Sequence, residues 1–253
     1  MILVYFALLA LLLIGTRIDL SAFNERYLSR DTTLAIKGFF VILVFCRHFK
    51  QYVTLSDNII DRMFLYVDRV LGQLIVVMFL FYSGYGIIVQ TMKKPEKYTR
   101  CFLKHRFIPT WVNFAICICF FIIVDIALGL IKNYSLWQII LAFTGWVSIG
   151  NSTWFMFDTF VFYLLFYVSY RLVKPAKIQE GLLIFSIFSV VFAMILFVTK
   201  KSTWWNTIFC LPLGMWYGYY RVEIEFKLRN NILYDLIFDR IKLLISKRQI
   251  LRV

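Results

Sequence analysis

The sequence predicts an all-α fold: a polytopic membrane helix bundle of about seven to eight segments, followed by a basic amphipathic C-terminal helix. Three observations carry this. Of 253 residues, 61% are hydrophobic and 19% aromatic, with only 4 Pro and 11 Gly. The mean hydropathy is +0.76. Long apolar runs recur from the first residue to about residue 220, so no soluble domain can be carved out. Residues 1–222 read as one membrane domain and 223–253 as a cytoplasmic tail.

The first run, "MILVYFALLALLLIG", is apolar from its first residue. A secretory signal would open on basic residues and end at a small-residue cleavage site. The basic opening is missing, so 1–15 reads as an uncleaved spanning helix. Further apolar segments are expected at 34–49, 70–91, 107–131, 137–149, 153–170, 181–199 and 204–220. A span needs about 20 residues, so "WQIILAFTGWVSI" at 137–149 is short: it is either re-entrant or interfacial.

Loop charges orient the bundle. The stretch 93–106 carries Lys93, Lys94, Lys97, Arg100, Lys104 and Arg106 against Glu96 alone, the strongest cytoplasmic signal in the chain. Counting outward, 16–33 falls inside, 50–69 outside, and the N-terminus outside. If 137–149 does not cross, Arg171, Lys174 and Lys177 fall in the cytoplasm, and so does the tail from Arg221. Seven full spans plus one incomplete segment follow. Lys200 and Lys201 then lie outside, against the rule.

In the tail, Ile232, Leu233, Leu236, Ile237, Ile241, Leu244 and Ile245 recur at helical spacing with Arg and Lys between them. That pattern suits either an anionic inner leaflet or packing on the protein itself. The net charge of +14 is explained by basic cytoplasmic segments; nucleic acid is not an expected partner, because no soluble basic fold is present. Cys46, Cys101, Cys117, Cys119 and Cys210 form no paired motif and no Cys/His ligand spacing, so no metal and no disulfide framework is expected.

Ionisable groups inside apolar helices are the places to look for chemistry. The set is Lys37, Arg47, His48, Asp125 and Asp158. Lys37 and Arg47 sit near helix ends, where long side chains can reach the interface, and Arg47 reads as an anchor. His48 is either structural or a proton-transfer group suited to neutral pH. In "KGFFVILVFCRHF" it lies eleven residues after Lys37, roughly 16 Å along one helical face. A cation at the inner mouth and an imidazole nearer the outside suit a reaction with a cytoplasmic anionic donor and an external acceptor.

Several stretches in this order resemble the membrane acyltransferase family 3, the integral-membrane O-acyltransferases of bacterial surface glycans. They are the Lys37-to-His48 spacing in an early helix, "VMFLFYSGYGI" at 77–87, "KHRFIPTW" at 104–111 with Arg106 and Pro109, and the Trp-led "STWFMFDTFVFYLLF" at 152–166. "TIFCLPLGMWYGYY" with Gly214 is similar to a later helix of that fold. The resemblance implies transfer of an acyl group, usually acetyl, from cytoplasmic acyl-CoA to a hydroxyl of an extracytoplasmic glycan or lipid-linked sugar. It makes His48 the catalytic base or acyl relay, and Lys37 and Arg106 donor-side cations, with Arg100 and Lys104 beside them.

The chain departs from that pattern in two ways. The family commonly has a second arginine three before Arg106, where this chain has Leu103; Arg100, Lys104 and His105 stand nearby. Its length also reads as short of the family's final spans, so a truncated or inactive member is one alternative. The other is a glycan transporter or flippase component, which would distribute charges along several helices.

Ser83 is either a nucleophile or, with Gly84 and Gly86, a small-residue packing face. Trp154 is an interfacial residue or a sugar platform, and Asp158, one turn on, either orients His48, binds acceptor or is structural. Asp125 reads as a structural pair, and Asp57, Asp61 and Asp68 as solvated outer-loop groups.

Overall fold

The computed structural model describes residues 26–150 and 152–229, with isolated positions before them. The expected span 1–15 lies largely outside the described residues, and the tail 230–253 lies wholly outside them. All regular structure among the described residues is helical. Among the described residues, four helices are long and apolar enough to cross a membrane: Arg30–Phe49, Ile59–Lys93, Pro95–Ala127 and Ile178–Thr199. The chain divides into two compact units, residues 1–78 with 220–253, and residues 79–219.

The first unit is built on α1 (Arg30–Phe49). Ser29 caps it, its hydroxyl accepting from the Thr32 amide at 3.2 Å. A short 3₁₀ turn (Lys50–Tyr52) leads to α2 (Ile59–Leu71), capped by Asn58, which accepts from the Asp61 amide at 2.8 Å. α2 ends at Gly72, whose φ of +44° admits a side chain only with strain. Its buried face carries Phe64 and Asp68, four residues apart, and Phe64 packs with Leu43, Cys46 and Ile75. The expected outer loop is thus largely an amphipathic helix. α10 (Arg221–Arg229) ties back to the residues before α1. Glu225 accepts from the Tyr27 hydroxyl at 2.7 Å and from Arg221 Nε at 2.6 Å.

The second unit begins within α3 (Leu74–Lys93). The basic stretch 93–106, expected as a loop, is helical. α4 (Pro95–Phe102), a π-helical segment (Leu103–Phe107) and α5 (Ile108–Ala127) form one 33-residue rod. At about 50 Å it exceeds the roughly 30 Å hydrocarbon core, so part of it extends past the lipid tails. In the expected short segment 137–149 the structure has α6 (Leu136–Ala142), only seven residues long and about 10 Å, too short to cross.

α7 (Trp154–Arg171) and α8 (Ile178–Thr199) supply most of the core, with α9 (Cys210–Tyr219) against them. The core is aromatic: Phe102 contacts Phe166 at 4.4 Å and Tyr163 at 5.4 Å, and Phe162 packs edge-on to Phe192 at 5.8 Å. α3 and α9 meet backbone to backbone. A Cβ on Gly84 would collide with the Leu211 carbonyl, and one on Gly214 with the Phe81 carbonyl. Gly86 has no neighbour within 4 Å, so of the small residues around Ser83 it is Gly84 that lets the helices touch.

One of the two lysines at 200–201, which the expected topology puts outside, has a structural use. Lys200 Nζ stands 3.5 Å from the Trp146 ring centroid and 4.3 Å from that of Trp204. It also donates to the Trp146 carbonyl at 3.3 Å. Burial among the indoles pushes this ammonium below the ordinary lysine range, and the ring faces offset that desolvation. Lys200→Met, which keeps a polarisable chain on the rings, is expected to change stability by less than about 1 kcal/mol. Lys200→Glu places a carboxylate on two π faces and leaves the Trp146 carbonyl without this donor. It is expected to lower the Tm of detergent-purified protein by several degrees more than Lys200→Met does.

Candidate active site

In the first unit, α1 carries both Lys37 and His48, three turns apart on one helix, each half-buried. The His48 imidazole makes no hydrogen bond to another described residue.

The end of α1 is held firmly. Arg47 Nη1 donates to the Asp68 carbonyl at 2.9 Å and to Asp68 Oδ1 at 3.3 Å, while Lys50 Nζ bonds Oδ2. The Asp68 side chain is 3% exposed against 35% and 28% for its two cations. Asp68 is therefore not the solvated loop group the sequence suggested, and Arg47 is a cross-link to α2 rather than a free interfacial anchor. A buried carboxylate is tolerable only with such partners. Two cations on one carboxylate leave an excess positive charge beside His48. The missed signal was there: Asn58 opens α2 as a cap, and Asp68 then falls on the same face as Phe64.

In the second unit, Arg100, Lys104 and Arg106 stand exposed along the long rod. Arg100 pairs with Glu96 one turn back at 2.8 Å, both largely exposed, a pair of little energetic value. Lys104 and Arg106 occupy the π-helical segment, where the extra residue per turn rotates everything after it. π segments recur at functional sites because their backbone bonds are strained into wider rings.

Ser83 on α3 faces the Tyr163 hydroxyl of α7 at 3.4 Å, a long contact, and among the described residues no histidine or carboxylate bonds it. Phe79 packs on Phe155 at 6.3 Å, so α3 and α7 are neighbours here. Trp154 is half-buried at the start of α7. Asp158, one turn further on the same side, is fully buried, and neither carboxylate oxygen has a hydrogen-bond partner among the described residues. Asp125 is also buried, with one unpartnered oxygen, and forms no ion pair among the described residues, where the sequence suggested a structural one.

These positions lie inside one continuous family match. The model of acyltransferase family 3, described as an acyltransferase domain, matches residues 35–238. The chain belongs to acyltransferase family 3. The matched stretch starts two residues before Lys37 and contains His48, Ser83, Arg100, Lys104, Arg106, Trp154 and Asp158. With its membrane-length helices, this is a membrane acyltransferase, a transferase by family. No curated protein and no solved structure matches it.

Proposed function

We propose that this acyltransferase moves an acyl group, acetyl first, from cytoplasmic acyl-CoA to a hydroxyl of a surface glycan or lipid-linked sugar outside a multi-pass cell membrane. His48 is the catalytic base. It takes the proton of the attacking hydroxyl as that oxygen bonds to the thioester carbonyl. The C–S bond then breaks, and the departing thiolate takes up a proton to give free CoA. Lys37, Arg106, Arg100 and Lys104 hold the donor's phosphates, and Trp154, Asp158 and Ser83 contact the acceptor. The N-terminus lies outside and the C-terminal tail in the cytoplasm.

The observation that carries this reading is the imidazole of His48, unbonded among the described residues, with Lys37 three turns away on the same helix, inside the family match. The topology is supported by the second unit. Glu96 and Arg100 line one cavity with Arg171 and Val173, so the two basic segments read as cytoplasmic share an end of that unit. The Lys200–Trp146 contact lies at the opposite end of α8 from the turn that follows Arg171.

The test is O-acylation of surface glycan in a host carrying wild-type protein or His48→Ala at equal membrane level. Loss of the base is expected to reduce transfer by about 10²- to 10⁴-fold. Normal acylation in the variant removes His48 from the mechanism.

A further inference from the structure

α2 has a face with no role in the scheme above. Ile59, Met63, Tyr66 and Val70 recur at i, i+4, i+7 and i+11, which puts them within about 60° on one side of the helix. Each is between 48% and 69% exposed. On the other side Phe64 is buried against Leu43 and Cys46 of α1, and Asp68 against Arg47 and Lys50. The stripe therefore points away from the helix that α2 packs on. Ile59, Met63, Tyr66, Val67 and Arg62 also line a shallow groove of about 750 Å³, including its open mouth.

Charge borders the stripe along one edge. Arg62 and Arg69, two turns apart, are both exposed. Arg62 stands 3.6 Å from Asp57, an exposed pair too weak to commit the guanidinium. Asp61 lies further round the helix and accepts from the Ser56 hydroxyl and amide.

The elements on either side say what covers this face. α1 and the stretch that holds α3 are long and apolar enough to cross a membrane. Residues 50–58 tie α2 to the first, and Gly72, at φ +44°, breaks the helix before the second. At 13 residues α2 is about 20 Å long, short of a span. It is thus held where two membrane-length helices meet the bilayer surface. An apolar stripe with a tyrosine on it and arginines along its border has the chemistry of a lipid leaflet: side chains among the acyl tails, guanidinium groups at the phosphates.

We propose that α2 is an interfacial helix, its Ile59–Met63–Tyr66–Val70 face seated in the leaflet at the end of α1, with phospholipid headgroups against Arg62 and Arg69. The proposal does not rest on acyl transfer. Because Asp68 on the opposite face holds Arg47 and Lys50, the leaflet bears directly on the helix end that carries His48.

The experiment uses the full chain in nanodiscs of mixed phosphatidylcholine and phosphatidylglycerol. The photo-crosslinker p-benzoylphenylalanine replaces Met63, Tyr66 or, as a control in the loop before α2, Asp57. Mass spectrometry then identifies the adducts. Phospholipid adducts are expected at positions 63 and 66, at least about 5-fold more abundant than at position 57. Arg62→Gln and Arg69→Gln are each expected to lower the phosphatidylglycerol share of those adducts by about 5-fold. Adducts to residues 1–15 of the same chain, adducts to a second copy, or no adduct at either stripe position would each overturn the proposal. An unchanged phosphatidylglycerol share in both arginine variants would overturn the headgroup assignment.

Discussion

Gly214→Val is expected to prevent folding. The position looks replaceable from its surroundings in sequence, a glycine in an apolar helix. In the structure the atoms nearest its absent side chain are the Phe81 carbonyl and Cα, all main chain. A rotamer change cannot clear them, because the obstacle is the neighbouring helix itself. Separating α3 from α9 would also open the buried contacts of Leu80, Leu211 and Met215. Overpacking ordinarily costs about 1–3 kcal/mol, and a clash with rigid backbone belongs at or beyond the top of that range. Gly84→Ala meets the Leu211 carbonyl and should fail in the same way. Gly86→Ala, two residues on, has no neighbour within 4 Å and removes a glycine from a helix interior. It should stabilise by about 0.5–1 kcal/mol. Thermal melts with size-exclusion chromatography in mild detergent check all three. A folded, monodisperse Gly214→Val with wild-type Tm would mean that α3 and α9 do not touch.

The second large effect is expected at Asp68. Asp68→Ala leaves Arg47 and Lys50 facing each other without their shared carboxylate, and removes the acceptor that joins α2 to the end of α1. Breaking a buried ion pair from one side costs about 3–5 kcal/mol. Both cations here keep about a third of their side-chain surface in contact with solvent, so about 2–3 kcal/mol is the better figure. Asp68→Asn keeps an acceptor for Arg47 and should lose less. The sharper measurement is the double-mutant cycle of Arg47→Ala with Asp68→Ala. A coupling near zero would show that the two side chains do not share an interaction in the folded protein. His48 follows Arg47 directly in the last turn of α1, so the same variants report whether a firmly held helix end matters to transfer. Activity per folded molecule should fall in Asp68→Ala more than in Lys200→Met, which is remote in sequence from α1.

Much of the fold was legible because lipid imposes a simple rule. Backbone groups in hydrocarbon must bond internally, so long apolar runs become helices. The runs at 34–49 and 181–199 correspond closely to Arg30–Phe49 and Ile178–Thr199. The run at 204–220 was less faithful, since only Cys210–Tyr219 forms a regular α-helix there. The stretch 93–106 is helical where its charge suggests a loop. Charge fixes where a segment meets water, not whether it is helical, and Pro95 in the first turn is itself a helix-start signal. Asp68 differs from a solvated loop carboxylate for the same reason: it lies on the buried face of the helix that Asn58 caps.

The sequence alone determined what depends on local composition: an all-helical membrane protein, its family, and a lysine and a histidine spaced to share one face of one helix. Tertiary structure decided what depends on which groups approach through space. It gave Asp68 to Arg47 and Lys50, seated Lys200 on two indoles, and selected Gly84 over Gly86 as the residue that must stay small. It also drew Tyr170 and Arg171 to the same cavity as Arg100, seventy residues earlier. The physical reason is that hydropathy and helical period are properties of neighbours along the chain. Ion pairs, cation–π contacts and backbone clashes are set by distances that only the packed helices fix.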